Sequence, residues 1–119
     1  MYIQGDIVSV PFPFTDLSSA KLRPAIIVSN NSIDNTGDVV IVMVTSQNKM
    51  DGVNIPIGPN DIDIELPKQS YVRCHRIVTI DNDIIANKIG SLSAEYLTVV
   101  LSKIKSILDV YPKLFVKQV

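Results

Sequence analysis

Apolar residues along this chain come in short blocks separated by polar turns, and only one stretch near the C-terminus has helical spacing. Residues 5 to 12 alternate apolar with small or polar side chains, the period-two pattern of a strand. Pro11-Phe12-Pro13-Phe14 follows, where proline's missing N–H predicts the end of the ladder. Ala25-Ile26-Ile27-Val28 and residues 39 to 44, Val-Val-Ile-Val-Met-Val, are unbroken apolar runs that suit strands covered on both faces. Residues 53 to 57 predict a short strand. Residues 70 to 80 predict one or two more, broken at Asp81-Asn82-Asp83. Thr15 to Lys21 reads as a polar loop, and Asn30 to Asp38 as a connection with room for one helical turn. Asp61, Asp63 and Glu65 alternate with isoleucines, the signature of a half-exposed strand.

From Ser93 onward the period changes. Ser93 can cap a helix whose second position, Glu95, sets a negative charge at the positive end of the dipole. Leu97, Val100, Leu101, Ile104 and Leu108 then share one face, which predicts packing on the sheet, while Glu95, Ser102, Lys105 and Asp109 point away. Short strands, frequent turns and a terminal helix predict a mainly β, α+β chain: a strongly bent sheet or partly open barrel of antiparallel strands carrying the helix.

At 119 residues with 46% hydrophobic positions the chain suits one domain, residues 1 to 119, with ample core. No apolar run approaches a bilayer span, and Asp6 arrives before any basic-then-apolar leader pattern, so a soluble cytoplasmic protein with no membrane attachment is expected. The lone cysteine, Cys74, follows Val72 at strand spacing and is expected to be a buried small hydrophobe. A net charge of −1 argues against a general duplex-DNA binder. Local basic groups remain: Lys21 with Arg23, and Lys68, Arg73, His75 and Arg76.

Arg23 stands immediately before Pro24 and an apolar strand, so a permanently charged planar fork is anchored at a loop-to-strand junction, a placement suited to phosphate or carboxylate oxygens. The strand ending at Thr45-Ser46-Gln47-Asn48, if antiparallel to it, finishes beside Arg23. Guanidinium, hydroxyl and amide then converge on one rim.

Gly5-Asp6-Ile7-Val8 with Pro11-Phe12, Arg23-Pro24-Ala25-Ile26-Ile27-Val28, Val44-Thr45-Ser46, Val72-Arg73-Cys74, Thr79-Ile80-Asp81 and Lys88-Ile89-Gly90-Ser91-Leu92-Ser93 occur in that order. Taken together, and from Gly5 to the terminal helix, they resemble the MazF/PemK toxins of bacterial toxin–antitoxin systems. The resemblance implies an SH3-like, partly open barrel, a homodimer, cleavage of single-stranded RNA at short motifs without a metal or other cofactor, and inhibition by a cognate antitoxin. By the same resemblance Arg23 acts on the scissile phosphate, Thr45 helps position the RNA, and Arg73 has an acid or stabilising role. His75 stands where many members carry aspartate, and Leu17 near where some carry histidine. A stabilising role in that first loop then falls to Ser18, Ser19 or Lys21; with Ser46, Gln47 and Arg76 these complete the expected RNA-binding set.

Cleavage of RNA by its own 2′-hydroxyl needs a base, an acid and cations for the phosphorane charge. Imidazole is suited to proton transfer near neutral pH, which makes His75 the candidate beside the fixed charges of Arg23 and Arg73. A metal nuclease using Asp61, Asp63 and Glu65 as oxygen ligands is the rival catalytic reading. Outside catalysis, the barrel could be a non-cleaving interaction module that binds a protein, or a degenerate toxin that keeps only its antitoxin.

Overall fold

Val8, Val10, Ala25, Ile27, Ile41 and Met43 gather on one face of a sheet, and Ile7, Ile26, Val42, Val44 and Val72 on the other. Alternation by strand geometry thus buries the central strands on both sides, as their unbroken apolar runs require. The structure, a computed structural model, describes residues 2–13 and 21–111. The six strands are β1 (Asp6–Phe12), β2 (Lys21–Ile27), β3 (Asp38–Thr45), β4 (Asn54–Pro56), β5 (Tyr71–Asp81) and β6 (Asn87–Ser91), followed by helix α1 (Ala94–Leu108). Their spatial order is β4-β5-β3-β2-β1-β6, and every neighbouring pair is antiparallel. The sheet is open, since β4 and β6 end the order without pairing to each other. The predicted mainly β architecture with a C-terminal helix is the one observed.

Ser93 caps α1 as expected, its Oγ accepting from the Tyr96 N–H at 3.1 Å. The buried stripe is Tyr96, Val100 and Ile104, together with half-buried Leu101, and it seals the face that contains Val72 and Cys74. Leu108, assigned to the stripe from its spacing, is instead 70% exposed. Tyr96 joins the stripe at the other end of the helix. Its phenol donates to the Pro56 carbonyl at 2.8 Å, so one side chain fills the core and pins β4. Each fully buried aliphatic side chain in this layer is worth about 1.5–3 kcal/mol.

Two further expectations are corrected. β1 does not stop before its prolines but pairs on through Pro11 and Phe12, opposite Leu22 and Lys21. β6 covers only Asp6 to Ser9, so among the described residues no strand pairs with Pro11 on that side and a missing N–H there breaks no ladder bond. Residues 61 to 65 form no strand beyond a single bridge, Ile62 to Leu92. Ile62 and Ile64 still turn inward, but the carboxylates cap loops: Asp61 accepts from Gly58 N–H at 2.7 Å and Asp63 from Ser91 N–H at 2.7 Å.

Candidate active site

β2 pairs with β3 only from Ala25 onward, opposite Met43. Pro24 has no N–H to carry the ladder further, so the strands part at that residue. Extending the same register by two residues sets Arg23 across from Thr45, as the sequence predicted for this rim. Arg23 is exposed and its guanidinium has no side-chain partner among the described residues, whereas Thr45 is half-buried and its Oγ1 accepts from Gln47 N–H at 3.1 Å. That bond folds the Ser46–Gln47 corner over the end of β3 and leaves the hydroxyl proton free to donate.

On the other side of β3, Val42 pairs with Ile77 but the next residue, Met43, pairs with Arg73. Cys74, His75 and Arg76 are therefore extra residues, a bulge that re-aims the side chains of β5. Cys74 points into the core, where burial pushes its thiol up to about 11. Arg73, opposite in direction to its buried neighbours Val72 and Cys74, is held by three groups. Nη1 donates to Asp51 Oδ2 at 2.7 Å and to Asn54 Oδ1 at 3.3 Å, and Nη2 lies 3.3 Å from His75 Nε2. The Arg73 hydrogen bond holds the Asp51 carboxyl below the usual carboxylate range.

These edges frame a cleft of about 780 Å³. Among the described residues five of those lining it are basic, Arg23, Lys49, Lys68, Arg73 and Arg76, and none is acidic, in a chain whose net charge is −1. Thr45, Ser46, Gln47 and Ser70 add hydroxyl and amide groups, while Phe12, Leu22, Leu66 and Ile89 supply an apolar floor. Positive charge beside apolar surface is the pairing that a polyanion with stackable bases requires.

Of the candidate residues, Arg23, Thr45, Ser46, Gln47, Arg73 and Arg76 line this cleft together. Lys21 lies exposed at the start of β2 and is not part of the lining. His75 is exposed on the bulge and reaches the cleft only through Arg73. Ser18, Ser19 and Leu17 lie outside the described residues. Lys49 and Asp51 were not singled out, because both sit in an irregular segment that only the β4–β5 pairing brings to the site. Lys68 stood in a visible basic stretch without a strand end to attach it to. Among the described residues no three His, Cys, Asp or Glu side chains gather as metal ligands, and Asp61 and Asp63 are engaged with backbone N–H groups.

The fold is similar to that of an endoribonuclease from a mycobacterial species solved with its cognate antitoxin, at 22% identity and TM-score 0.73 over 91% of this chain and 95% of that one. A second mycobacterial endoribonuclease has 24% identity and TM-score 0.70 over 90% of each chain. A MazE–MazF complex from Deinococcus radiodurans has 21% identity and TM-score 0.73 over 90% of this chain and 95% of that one. No curated protein sequence matches. The model of the PemK-like, MazF-like toxins of type II toxin–antitoxin systems matches residues 3–108, and the chain belongs to that family.

Proposed function

We propose that this toxin is an endoribonuclease that cleaves single-stranded RNA in the cleft between β2, β3 and β5 by attack of the RNA's own 2′-hydroxyl, without a metal ion. The observation that carries the reading is the convergence, among the described residues, of five cations and no carboxylate around Arg23 and Thr45. The 2′-oxygen attacks phosphorus as the bond to the 5′-oxygen breaks; the hydroxyl gives up its proton and the leaving oxygen takes one. The products are a 2′,3′-cyclic phosphate and a 5′-hydroxyl. Arg23 and Arg73 supply fixed positive charge where the phosphorane becomes more negative, and the Thr45 hydroxyl offers a donor beside them. Guanidinium has no acceptor, so a hydrogen bond in the Arg73–His75 contact requires Nε2 as the acceptor, with the ring proton on Nδ1. In this geometry His75 acts through Arg73.

Family membership and the similar folds solved in complex with an antitoxin support an antitoxin as the regulating partner. The reading includes a homodimer whose paired subunits extend the groove, with an antitoxin segment covering it. Purified protein incubated with a single-stranded RNA in EDTA should yield cyclic-phosphate and 5′-hydroxyl ends. Cleavage abolished by EDTA and restored by Mg²⁺ would overturn the metal-independent mechanism, and no cleavage at all would favour a module that binds without cutting.

A further inference from the structure

The loop before β4 carries a carboxylate whose placement is fixed from several directions. Asp51 Oδ1 accepts from Val53 N–H at 3.2 Å across Gly52, whose φ of 81° is a left-handed conformation that glycine adopts without strain. The Val53 carbonyl in turn accepts from Cys74 N–H at 3.1 Å, which ties this turn to the β5 bulge. The other oxygen, Oδ2, receives Arg73 Nη1 at 2.7 Å. Asp51 itself does not line the cleft, and Arg73 does.

Arginine has five N–H groups. Three are taken by Asp51, Asn54 and His75, so among the described residues two remain without a partner, one of them on Nε, in a guanidinium whose side chain is only 13% exposed. A long flexible side chain is thereby reduced to one orientation before any substrate arrives, and a donor held in place needs no reorganisation during the reaction. Resting on the ribonuclease reading above, we propose that Asp51 is a positioning residue for RNA cleavage: clamped by its own turn, it holds Arg73 so that the remaining N–H pair is presented to the phosphate. Arg73 is mostly buried and networked, so a merely structural role predicts a loss of stability on removing Asp51 with turnover of the folded chain unchanged. The positioning role predicts a loss confined to turnover.

The test is a double-mutant cycle in the full chain, with Asp51→Ala, Arg73→Ala and the pair, assayed for kcat and KM on a single-stranded RNA oligonucleotide. Asp51→Ala should lower kcat by about 10- to 100-fold, the effect of a misplaced catalytic group, with KM changed less than about threefold. In the Arg73→Ala background the Asp51 substitution should cost nothing more. The Arg73 Nε–H signal in a nitrogen-resolved NMR spectrum, sharp in the wild-type chain, should broaden in Asp51→Ala. Asp51→Asn, which keeps an acceptor for the turn but no charge, serves if the alanine variant does not fold, and should fall on the same side. Unchanged kcat in a folded Asp51 variant, or losses that multiply in the double variant, would overturn the inference while leaving the ribonuclease reading intact. A wild-type chain that cleaves no RNA would overturn both.

Discussion

Arg23 lies across from Thr45 in the continued register of β2 and β3, two residues past Ala25 and Met43, where the ladder has already ended at Pro24. The proline therefore does two things with one ring. It stops the strands from closing over the cleft, and it fixes the backbone from which the guanidinium projects. The charge stands at an open seam, not on a finished sheet edge.

Under the proposed reaction Arg23 is a functional and not a structural residue. Arg23→Ala should fold with an unchanged melting temperature, since the side chain is exposed and unpartnered among the described residues. Its cleavage rate should fall by about 10²-fold or more, the usual loss when a fixed electrostatic stabiliser is removed. Arg23→Lys should recover a part only, because a point charge does not reproduce a planar fork. Near-normal turnover of folded Arg23→Ala would assign the phosphate to Arg73 and Lys68 instead.

A second expectation concerns the wall formed by residues 61 to 68. Gly90 on β6 lies so close to this segment that a Cβ would stand 2.8 Å from Asp63 Oδ1 and 2.9 Å from Ile64 Cγ2. Asp63 is held there by its bond to Ser91 N–H and Ile64 by the core, so neither can retreat freely. Gly90→Ala should destabilise the chain by about 1–3 kcal/mol, the range for overpacking. It should also disturb Leu66 and Lys68 in the cleft, raising KM for RNA. Chemical denaturation and cleavage kinetics on the same variant check both, and unchanged values of each would show that the loop yields without cost.

Cys74 allows a prediction with a definite sign. Burial pushes its thiol from 9.0 to about 11. Below pH 9 both folded and unfolded chains hold this proton. Between about 9 and 11 the unfolded chain has lost it and the folded chain has not, so stability falls as pH rises through that window, by about 1–3 kcal/mol in all. The buried Tyr96 phenol, also pushed up, adds a further fall at the alkaline end. Urea midpoints measured from pH 8 to 11 should decline less steeply in Cys74→Ala than in the wild-type chain. Parallel declines would mean that the thiol does not contribute.

The apolar runs at 25–28 and 39–44 made the Arg23–Thr45 rim legible, because antiparallel pairing of two buried strands leaves few alternatives for where their ends meet. The helix cap at Ser93 was equally local and equally readable. The β5 bulge was not: Val72 to Ile80 is apolar enough at period two to read as a continuous strand, and only the register against β3 shows three residues set aside. Asp51 depends on that bulge and on the β4 pairing, so nothing near it in the chain marked it. The strand expected over residues 61 to 65 failed for a different reason. Its alternation of burial is real, but its carboxylates bond to backbone N–H groups of Gly58 and Ser91, and the segment caps loops instead of extending a sheet.

His75 is the residue on which proton transfer and positioning make opposite predictions. Its Nε2 lies 3.3 Å from Arg73 Nη2, and the positioning role has it act there as an acceptor completing the grip on the guanidinium. His75→Ala should then lower kcat by about tenfold, the worth of one hydrogen bond to a charged group. His75→Gln, which offers an uncharged acceptor, should recover part of that loss, and His75→Asp should retain more than alanine because it supplies a stronger acceptor to the same donor. His75→Lys should be the poorest of the four, since a second cation repels Arg73 and accepts nothing. Proton transfer by the ring predicts another pattern: a loss of about 10² to 10⁴ in His75→Ala, no recovery with glutamine, and rescue of the alanine variant by free imidazole added to the assay. Rescue by imidazole without rescue by glutamine would move His75 from holding Arg73 to carrying the proton itself.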